Sequence, residues 1–274
     1  MFQRILGPLP IRGKGRLAEM LLARHRSAEL SSRPLPGVRV FLRASERIER
    51  LMWAGAYEPD LVELFKRSVR PGMTVLDVGA NIGYFSTIAA GLVGSHGRVH
   101  AFEPVPSCFA RLERNLSQFG WAWAHRSAVG DKSGVATVHF KESESGWGSL
   151  FSDGSPDSAT EVPVVTLDEW VDQQGIERLD FIKIDVEGGE FRALKGTGHI
   201  LRKFRPMITA ELNELCLQRD HHTPLDVLEL LEAADYESFS FNDGVLAIPR
   251  EAREQLHHLR GFTKRPFGKA LLAP

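Results

Sequence analysis

Residues 73–83, with the sequence MTVLDVGANIG, decide the fold of this chain. Their first half is a short apolar run with an acidic residue, Asp77, near its end, which is typical of a buried parallel strand. Their second half is a glycine-rich turn of the form G-x-N-x-G. Apolar residues then recur at helical spacing, namely Phe85, Ile88, Ala89 and Leu92. A strand, a glycine turn and a helix in this order predict the first unit of a parallel βαβ fold.

The alternation of strand and helix continues along the chain. Further strands are predicted at residues 98–102, 123–129, 179–185, 207–212, 236–241 and 245–248. An additional strand at residues 135–141 and a Ser-, Gly- and Asp-rich loop at 142–159 interrupt the rhythm and predict a β insertion. Thr166 with Glu169 matches a capping box that begins the next helix. The pattern predicts an α/β protein with a doubly wound, mostly parallel seven-stranded sheet.

Three segments are expected along the chain. Residues 1–56 are irregular in pattern and are interpreted as a cap on the main domain, with a helix over 16–30 and a strand over 38–42. Residues 57–250 carry the α/β domain, and residues 251–274 form a C-terminal tail.

Composition excludes several classes of protein. The chain has 274 residues, with 34 Lys and Arg against 35 Asp and Glu, and this balance argues against a nucleic-acid partner. The two cysteines, Cys108 and Cys216, are far apart in the sequence and are interpreted as reduced thiols of a cytoplasmic protein, with a structural disulfide as the alternative. We expect no secretory signal, and no apolar run reaches the ~20 residues of a transmembrane helix. The oligomeric state is left open, a homo-oligomer included.

Three loops should meet where the strand order of a doubly wound sheet reverses. They are the glycine turn, the acidic residue Glu103 after the second strand, and the turn at residues 127–131. The glycine turn exposes backbone N–H groups, a carboxylate at Glu103 can accept both hydroxyls of a ribose, and the third turn is placed to touch an adenine. The residues expected to bind this cofactor are Asp77, Gly79, Asn81, Gly83, Glu103, Pro104, Ala128 and Asp131.

Both NAD and S-adenosylmethionine bind to sites of this design, and the glycine turn distinguishes between them. Its spacing departs from the G-x-G-x-x-G pattern that cradles a pyrophosphate in NAD enzymes. Asp77 stands just ahead of the first glycine, where its charge would sit poorly beside a pyrophosphate. The ammonium and sulfonium of S-adenosylmethionine tolerate that charge, so this cofactor is favoured over NAD.

Longer strings of the sequence resemble the FkbM-type methyltransferases, a family of class I S-adenosylmethionine enzymes. The matching strings are residues 55–86, VHAFEPVPSCFARLERN from Val99, SAVGDKSG from Ser127, VTLDEW from Val165 and DFIKIDVEGGEFRALKG from Asp180. The resemblance implies O-methylation of a hydroxyl on a sugar, glycolipid or polyketide-like natural product. Tyr57-Glu58 also resembles a family motif and is expected to close over the methionine end of the cofactor.

The acceptor hydroxyl is a poor nucleophile, so a base or a metal must help to remove its proton. Lys183, Asp185 and Glu187 follow one another at alternating positions near the end of a buried strand, so strand alternation is expected to place all three on one face. Glu211 ends the next strand. These four are the catalytic candidates. Asp185 and Glu211 could also hold Mg²⁺, which the sequence leaves open. A Lys183–carboxylate ion pair with Glu187 and Glu190 at a helix start is the structural alternative.

Two functional alternatives remain beside O-methylation. A module could keep the fold and bind cofactor without turnover, although the intact acidic and glycine positions argue against decay. An amino-methyltransferase acting on nucleic acid is disfavoured, because the N/D-P-P-Y/F type of motif is absent from the sequence.

Overall fold

A computed structural model describes residues 27–140, 148–149, 158–259 and 261–262, together with residues 15, 16, 20 and 22. In chain order the elements are β1 (Glu29–Ser32), β2 (Val40–Arg43), α1 (Arg47–Ala54), α2 (Pro59–Ser68), β3 (Thr74–Val78), α3 (Tyr84–Val93), β4 (Arg98–Phe102), α4 (Pro106–Leu116), β5 (Ala122–His125), β6 (Ala128–Val129), β7 (Gly134–Phe140), β8 (Gly148–Ser149), β9 (Ser158–Val165), α5 (Leu167–Gln173), β10 (Phe181–Ile184), α6 (Glu190–Lys195), α7 (Gly198–Lys203), β11 (Met207–Glu211), α8 (Glu214–Arg219), α9 (Pro224–Ala233), β12 (Tyr236–Phe241), β13 (Gly244–Pro249) and a 3₁₀ helix (Arg250–Leu259).

The main sheet has seven strands in the order β12-β13-β11-β10-β3-β4-β5. The five strands from β11 to β5 are parallel, and β13 runs antiparallel to both β11 and β12. The chain moves from β3 outward to β5 and later returns on the other side of β3 with β10, so the strand order reverses between these two strands. The predicted doubly wound, mostly parallel seven-stranded sheet is confirmed.

A second sheet interrupts this rhythm between β5 and β10. Its order is β6-β9-β7-β8, and β7 pairs antiparallel with β9 over the whole length of β7. The single strand predicted at 123–129 is wrong, because the chain turns after His125 and leaves β5 in the main sheet and β6 in the second. Residues 158–159 of the predicted loop belong to β9 and 148–149 to β8, whereas its other residues lie outside the described ones.

Both faces of the main sheet are buried, which is why its central strands read as continuous apolar runs. Leu76 of β3 and Ile182 of β10 pack into one core with α5, α6 and α9. Val75 and Phe181 pack into the opposite core with α2 and α3. Strand alternation therefore directs Asp77 and Lys183 towards the α2–α3 side, where they are cross-strand neighbours.

Side-chain caps begin three of the described helices, α5, α8 and α9. Thr223 and Asp226 form a complete capping box at the start of α9. At α5, the Thr166 hydroxyl accepts from the Glu169 backbone N–H at 3.2 Å, as predicted. The Glu169 carboxylate instead accepts from the hydroxyl of Ser133, so the second half of the predicted capping box is wrong there.

The N-terminal region packs on the main sheet through β1, β2 and α1. Val40, Leu42 and Met52 belong to the same core as α2 and α3. The helix predicted over residues 16–30 lies largely outside the described residues, and its last two residues form the start of β1. Among the described helices, none combines the length and the hydropathy of a membrane span.

Candidate functional site

The carboxyl ends of β3 and β10 approach each other very closely. Gly79 follows β3 with a φ of 76°, and a Cβ at this position would lie 1.7 Å from the backbone oxygen of Asp185. Only glycine fits both the backbone conformation and this contact. The glycine predicted from the turn motif therefore brings the two strand ends together at the point where the strand order reverses.

Glu103, at the end of β4, is bonded to the glycine turn. Its Oε2 accepts from the Asn81 backbone N–H at 2.8 Å, and its Oε1 accepts from the Val105 backbone N–H at 2.9 Å. Burial raises the pKa of Glu103 to about 7, although these two hydrogen bonds act in the opposite direction. Each carboxylate oxygen keeps a further lone pair, which leaves Glu103 able to accept two more donors.

Lys183 lies between two carboxylates beneath the glycine turn. Its Nζ is 3.1 Å from Asp185 Oδ2 and 3.5 Å from Asp77 Oδ1, and it donates to the Gly79 carbonyl at 3.4 Å. Burial opposes the charged form, but the pKa of Lys183 is raised because Asp185, Asp77 and Glu58 surround it. The ion pair of the structural alternative is therefore present, and it holds Asp185 in place.

Asp185, Glu187 and Glu211 form an acidic cluster, with one oxygen of each carboxylate within 4.8 Å of the others. Strand β10 ends at Ile184 and Glu187 has a φ of 54°, so the expectation that strand alternation aligns these side chains is wrong. The turn that follows the strand brings them together instead. The Glu190 carboxylate stabilises this turn by accepting from backbone N–H groups of Val186 and Gly188.

The three carboxyl groups of the acidic cluster have separated pKa values. Burial and then the Asp185 charge raise the pKa of Glu211 to about 9, and burial raises that of Glu187 to about 7. Burial also acts to raise the pKa of Asp185, but the Lys183 ammonium and a hydrogen bond from Glu211 hold it below its usual range. At neutral pH Glu211 is protonated and Asp185 is charged.

Tyr57 and Glu58 lie where α2 begins. The Tyr57 ring packs edge-on against Tyr84 at 5.8 Å between centroids and tilted against Phe85 at 6.1 Å. Burial raises the pKa of Tyr57, as do the nearby charges of Glu58 and Asp185. Glu58 has a φ of 38°, a strained conformation for a residue other than glycine. The aromatic side chains therefore wall the cleft beside Asp185.

The glycine turn, Glu103 and two members of the acidic cluster, Asp185 and Glu187, open into one cleft of about 160 Å³. Of the predicted site residues, those that line it are Tyr57, Gly79, Asn81, Glu103, Pro104, Ala128, Lys183, Asp185 and Glu187. Asp77 lies beneath the cleft, and Gly83 begins α3 behind the turn. Glu58 and Glu211 line a second cavity that shares Lys183 and Asp185. Asp131 is not among the lining residues, and its carboxylate pairs with Lys195 at 3.5 Å.

Sequence reasoning missed one wall of this cleft, which comes from β2 and α1. Ile48 and Met52 line it, and Glu49 is buried in a two-bonded ion pair with Arg111 of α4. Glu49 also accepts from the Arg43 backbone N–H at 2.5 Å. Nothing in the local pattern signals this ion pair, whose members are 62 residues apart. The aromatic wall could have been predicted from the sequence, because Tyr84 and Phe85 directly follow the glycine turn.

The sheet order and the cleft at its switch point define the class of Rossmann-like methyltransferases. The family model described as "Methyltransferase FkbM domain" matches residues 77–238, which are more than half of the chain. This chain therefore belongs to the FkbM methyltransferase family, as its motifs predicted.

Three proteins are similar to this chain over part of its length. The 31-O-demethyl-FK506 methyltransferase FkbM of Streptomyces tacrolimicus is 32% identical over 158 residues, which cover 47% of this chain and 60% of that protein. The hexuronic acid methyltransferase AglP of Haloferax volcanii is 28% identical over 182 residues, covering 65% and 69%. The crystal structure of an FkbM methyltransferase from Methylobacillus flagellatus has a TM-score of 0.44 at 18% identity, covering 86% of this chain and 59% of that one.

Proposed function

We propose that this protein transfers a methyl group from S-adenosylmethionine to a hydroxyl of a small molecule, such as a sugar or a natural product. The proposal is carried by the meeting of the glycine turn and Glu103 with Asp185 and Glu187 of the acidic cluster in one cleft. The name of the Streptomyces relative indicates O-methylation of a natural product, and that of the Haloferax relative indicates a sugar acid as acceptor.

The residues around the glycine turn fit this cofactor. Glu103 is fixed by two backbone N–H groups and keeps lone pairs for two ribose hydroxyls. Ala128 and Pro104 line the same end of the cleft and supply apolar contact for an adenine. Asp77 and Asp185 bring negative charge beneath the turn, which suits an ammonium and opposes a pyrophosphate. When bound, S-adenosylmethionine supplies an electrophilic methyl group.

We infer that Glu187 removes the proton of the acceptor hydroxyl and that Asp185 orients this hydroxyl. A general base works best when its pKa is near the operating pH, and the pKa of Glu187 is raised by burial to about 7. Asp185 is charged but less basic, because Lys183 stabilises its carboxylate. Glu211 is protonated at neutral pH and donates a hydrogen bond to the Asp185 carboxylate, so it acts as a positioning residue.

The spacing of the acidic cluster also suits a divalent cation with oxygen ligands. Lys183 already supplies positive charge 3.1 Å from Asp185, and the proton on Glu211 lies between two of the three carboxylates. Both features perform the neutralisation that Mg²⁺ would bring. We therefore propose that methyl transfer needs no divalent cation, because Lys183 and the proton shared by Glu211 and Asp185 neutralise the carboxylates. Addition of EDTA is then expected to leave the rate of transfer within about twofold of its value without EDTA.

Calorimetric titration with S-adenosylmethionine and NAD⁺ separately tests the cofactor. We expect saturable binding of the former alone, weakened about tenfold or more in Glu103→Gln, because hydrogen bonds to a charged group contribute roughly 1.5–3 kcal/mol. Glu113→Gln, on the exposed side of α4, is the matched control. Binding of NAD⁺ alone would overturn the proposal.

Transfer of a tritiated methyl group to a panel of sugars and hydroxylated natural products tests the reaction. O-methylation of a hydroxyl forms an ether, which survives mild alkali, whereas methylation of a carboxylate forms an ester that alkali cleaves. Label that is released by alkali would contradict hydroxyl methylation while leaving methyl transfer itself intact.

A further inference from the structure

A second cavity of about 350 Å³ adjoins the cofactor cleft at Asp185. It lies at the carboxyl ends of β10 and β11 and is closed by the β12–β13 hairpin and the start of α2. The two cavities share Lys183 and Asp185. A molecule in this second cavity would therefore lie beside Asp185 and Glu211 of the acidic cluster.

The walls of this cavity combine carboxylates with apolar surface. Its acidic residues are Glu58, Asp60, Asp185, Glu211 and Asp243. Among the described residues that line it, Lys183 alone has a cationic side chain, and its ammonium already pairs with Asp77 and Asp185. Leu61 and Phe241, both buried, supply apolar contact. Carboxylates that accept from hydroxyls beside an apolar surface are the chemistry that a polyhydroxylated ring requires.

The negative charge of this cavity persists at neutral pH. Even with Glu211 protonated, the exposed carboxylates of Asp60 and Asp243 line the cavity, and the cationic lining residue among those described, Lys183, is paired with Asp77 and Asp185. A carboxylate or phosphate on a bound molecule would therefore be repelled by like charges, and an amine would be attracted. Such charge juxtaposition decides specificity more than total affinity.

We propose that this second cavity is the acceptor site and that it selects hydroxylated acceptors by charge, in the order amine-bearing, neutral, anionic. This inference rests on the proposed methyl transfer and adds the substrate class to it. The carboxylates of Asp60 and Asp243 disfavour uronic acids and sugar phosphates, so the acceptor of this chain would differ from the hexuronic acid in the name of the Haloferax relative. The apolar wall holds the ring, and the reacting hydroxyl lies beside Asp185, whose carboxylate is within 4.8 Å of Glu187.

Three probes of one ring size test the order, namely glucosamine, methyl glucoside and glucuronate. Their dissociation constants are measured by saturation-transfer NMR titration on the full chain, with S-adenosylhomocysteine present to prevent turnover. We expect glucosamine to bind tightest and glucuronate weakest. In Asp60→Asn/Asp243→Asn the ratio of the glucuronate to the glucosamine dissociation constant should fall at least tenfold, since each carboxylate a few ångströms away contributes about threefold for each probe.

Asp172→Asn is the matched control, because this exposed aspartate at the end of α5 lines neither cavity. Equal binding of glucuronate and glucosamine, no binding of any probe, or the same change in the control variant would overturn the charge selection. Calorimetry with S-adenosylmethionine on the same samples separates the two proposals. Intact cofactor binding without charge selection rejects the acceptor proposal alone, and loss of cofactor binding in the native protein rejects the proposed function.

Discussion

A single lysine determines the charge state of this site. Lys183 is almost completely buried, and it neutralises Asp77 from the neighbouring strand and Asp185 from the following turn. Placing an ion pair inside a protein has a large desolvation cost, so such a pair is weak grounds for assuming a gain in stability. Its effect here is to keep Asp185 ionised beside two carboxyl groups whose pKa values are raised.

Replacing this lysine should destabilise the fold strongly. Lys183→Met leaves Asp77 buried without a counter-charge, and breaking a buried pair from one side typically costs about 3–5 kcal/mol. Urea unfolding at pH 7 measures the loss. Adding Asp77→Asn to the same chain should restore part of it, because the unpaired charge is then removed. A loss below about 1 kcal/mol in the single variant would show that the pair is not buried as described.

Glu187→Gln should change the pH dependence of transfer. If Glu187 is the base, it must be deprotonated, so kcat/KM of the native enzyme falls as pH decreases through about 7. The glutamine variant loses the base, lowers kcat roughly 10²–10⁴-fold and no longer shows this acidic limb. Initial rates between pH 5.5 and 9 measure both effects. An unchanged acidic limb in the variant would assign the titration to another group.

At the level of elements, accuracy of prediction depended on how local the signal is. Strands β4 and β12 were predicted to the residue, because each is an isolated apolar-rich run between clear stops. The helix expected from Glu190 is in fact two short helices separated at Gly196 and Thr197. A Cβ on Gly196 would lie 2.2 Å from the Gly130 backbone oxygen, so the helix breaks at a close contact with a residue far away in the sequence. Such contacts produce no periodicity in the sequence from which the break could be predicted.

The glycine turn allows a matched test of close approach. Gly79 and Gly72 both have positive φ, but a Cβ on Gly72 would meet nothing within 4 Å. Gly72→Ala should cost about 1–2 kcal/mol from backbone strain alone. Gly79→Ala adds the overlap with the backbone of Asp185 and should lower the free energy of unfolding by about 3 kcal/mol or more. It should also weaken cofactor binding. Urea unfolding and calorimetry measure the two effects, and equal losses in both variants would contradict the strand contact.

For the whole molecule, the sequence was informative where function and fold share residues. The turn at 79–83 and Glu103 were predicted from chemistry, and the structure places Gly79, Asn81 and Glu103 in one cleft. The wall from β2 and α1 could not be predicted, because its ion pair joins Glu49 to a helix far along the chain. The second cavity was equally hidden, since it forms between two strand ends, a hairpin and a helix start that only the folded chain brings together.

The site also affects the stability of the whole molecule. The pKa of Glu211 is raised to about 9, so the folded state holds a proton that the unfolded chain releases above about pH 4.5. Stability from this group is therefore complete below pH 4.5 and is lost as pH rises towards 9. Glu211→Gln mimics the protonated form and should raise the free energy of unfolding by about 1–3 kcal/mol at pH 8, with less than about 1 kcal/mol of gain at pH 5. Urea unfolding at both pH values measures the difference. A gain of equal size at both would assign the effect to packing, whereas the expected difference would assign it to the proton that Glu211 holds only in the folded state.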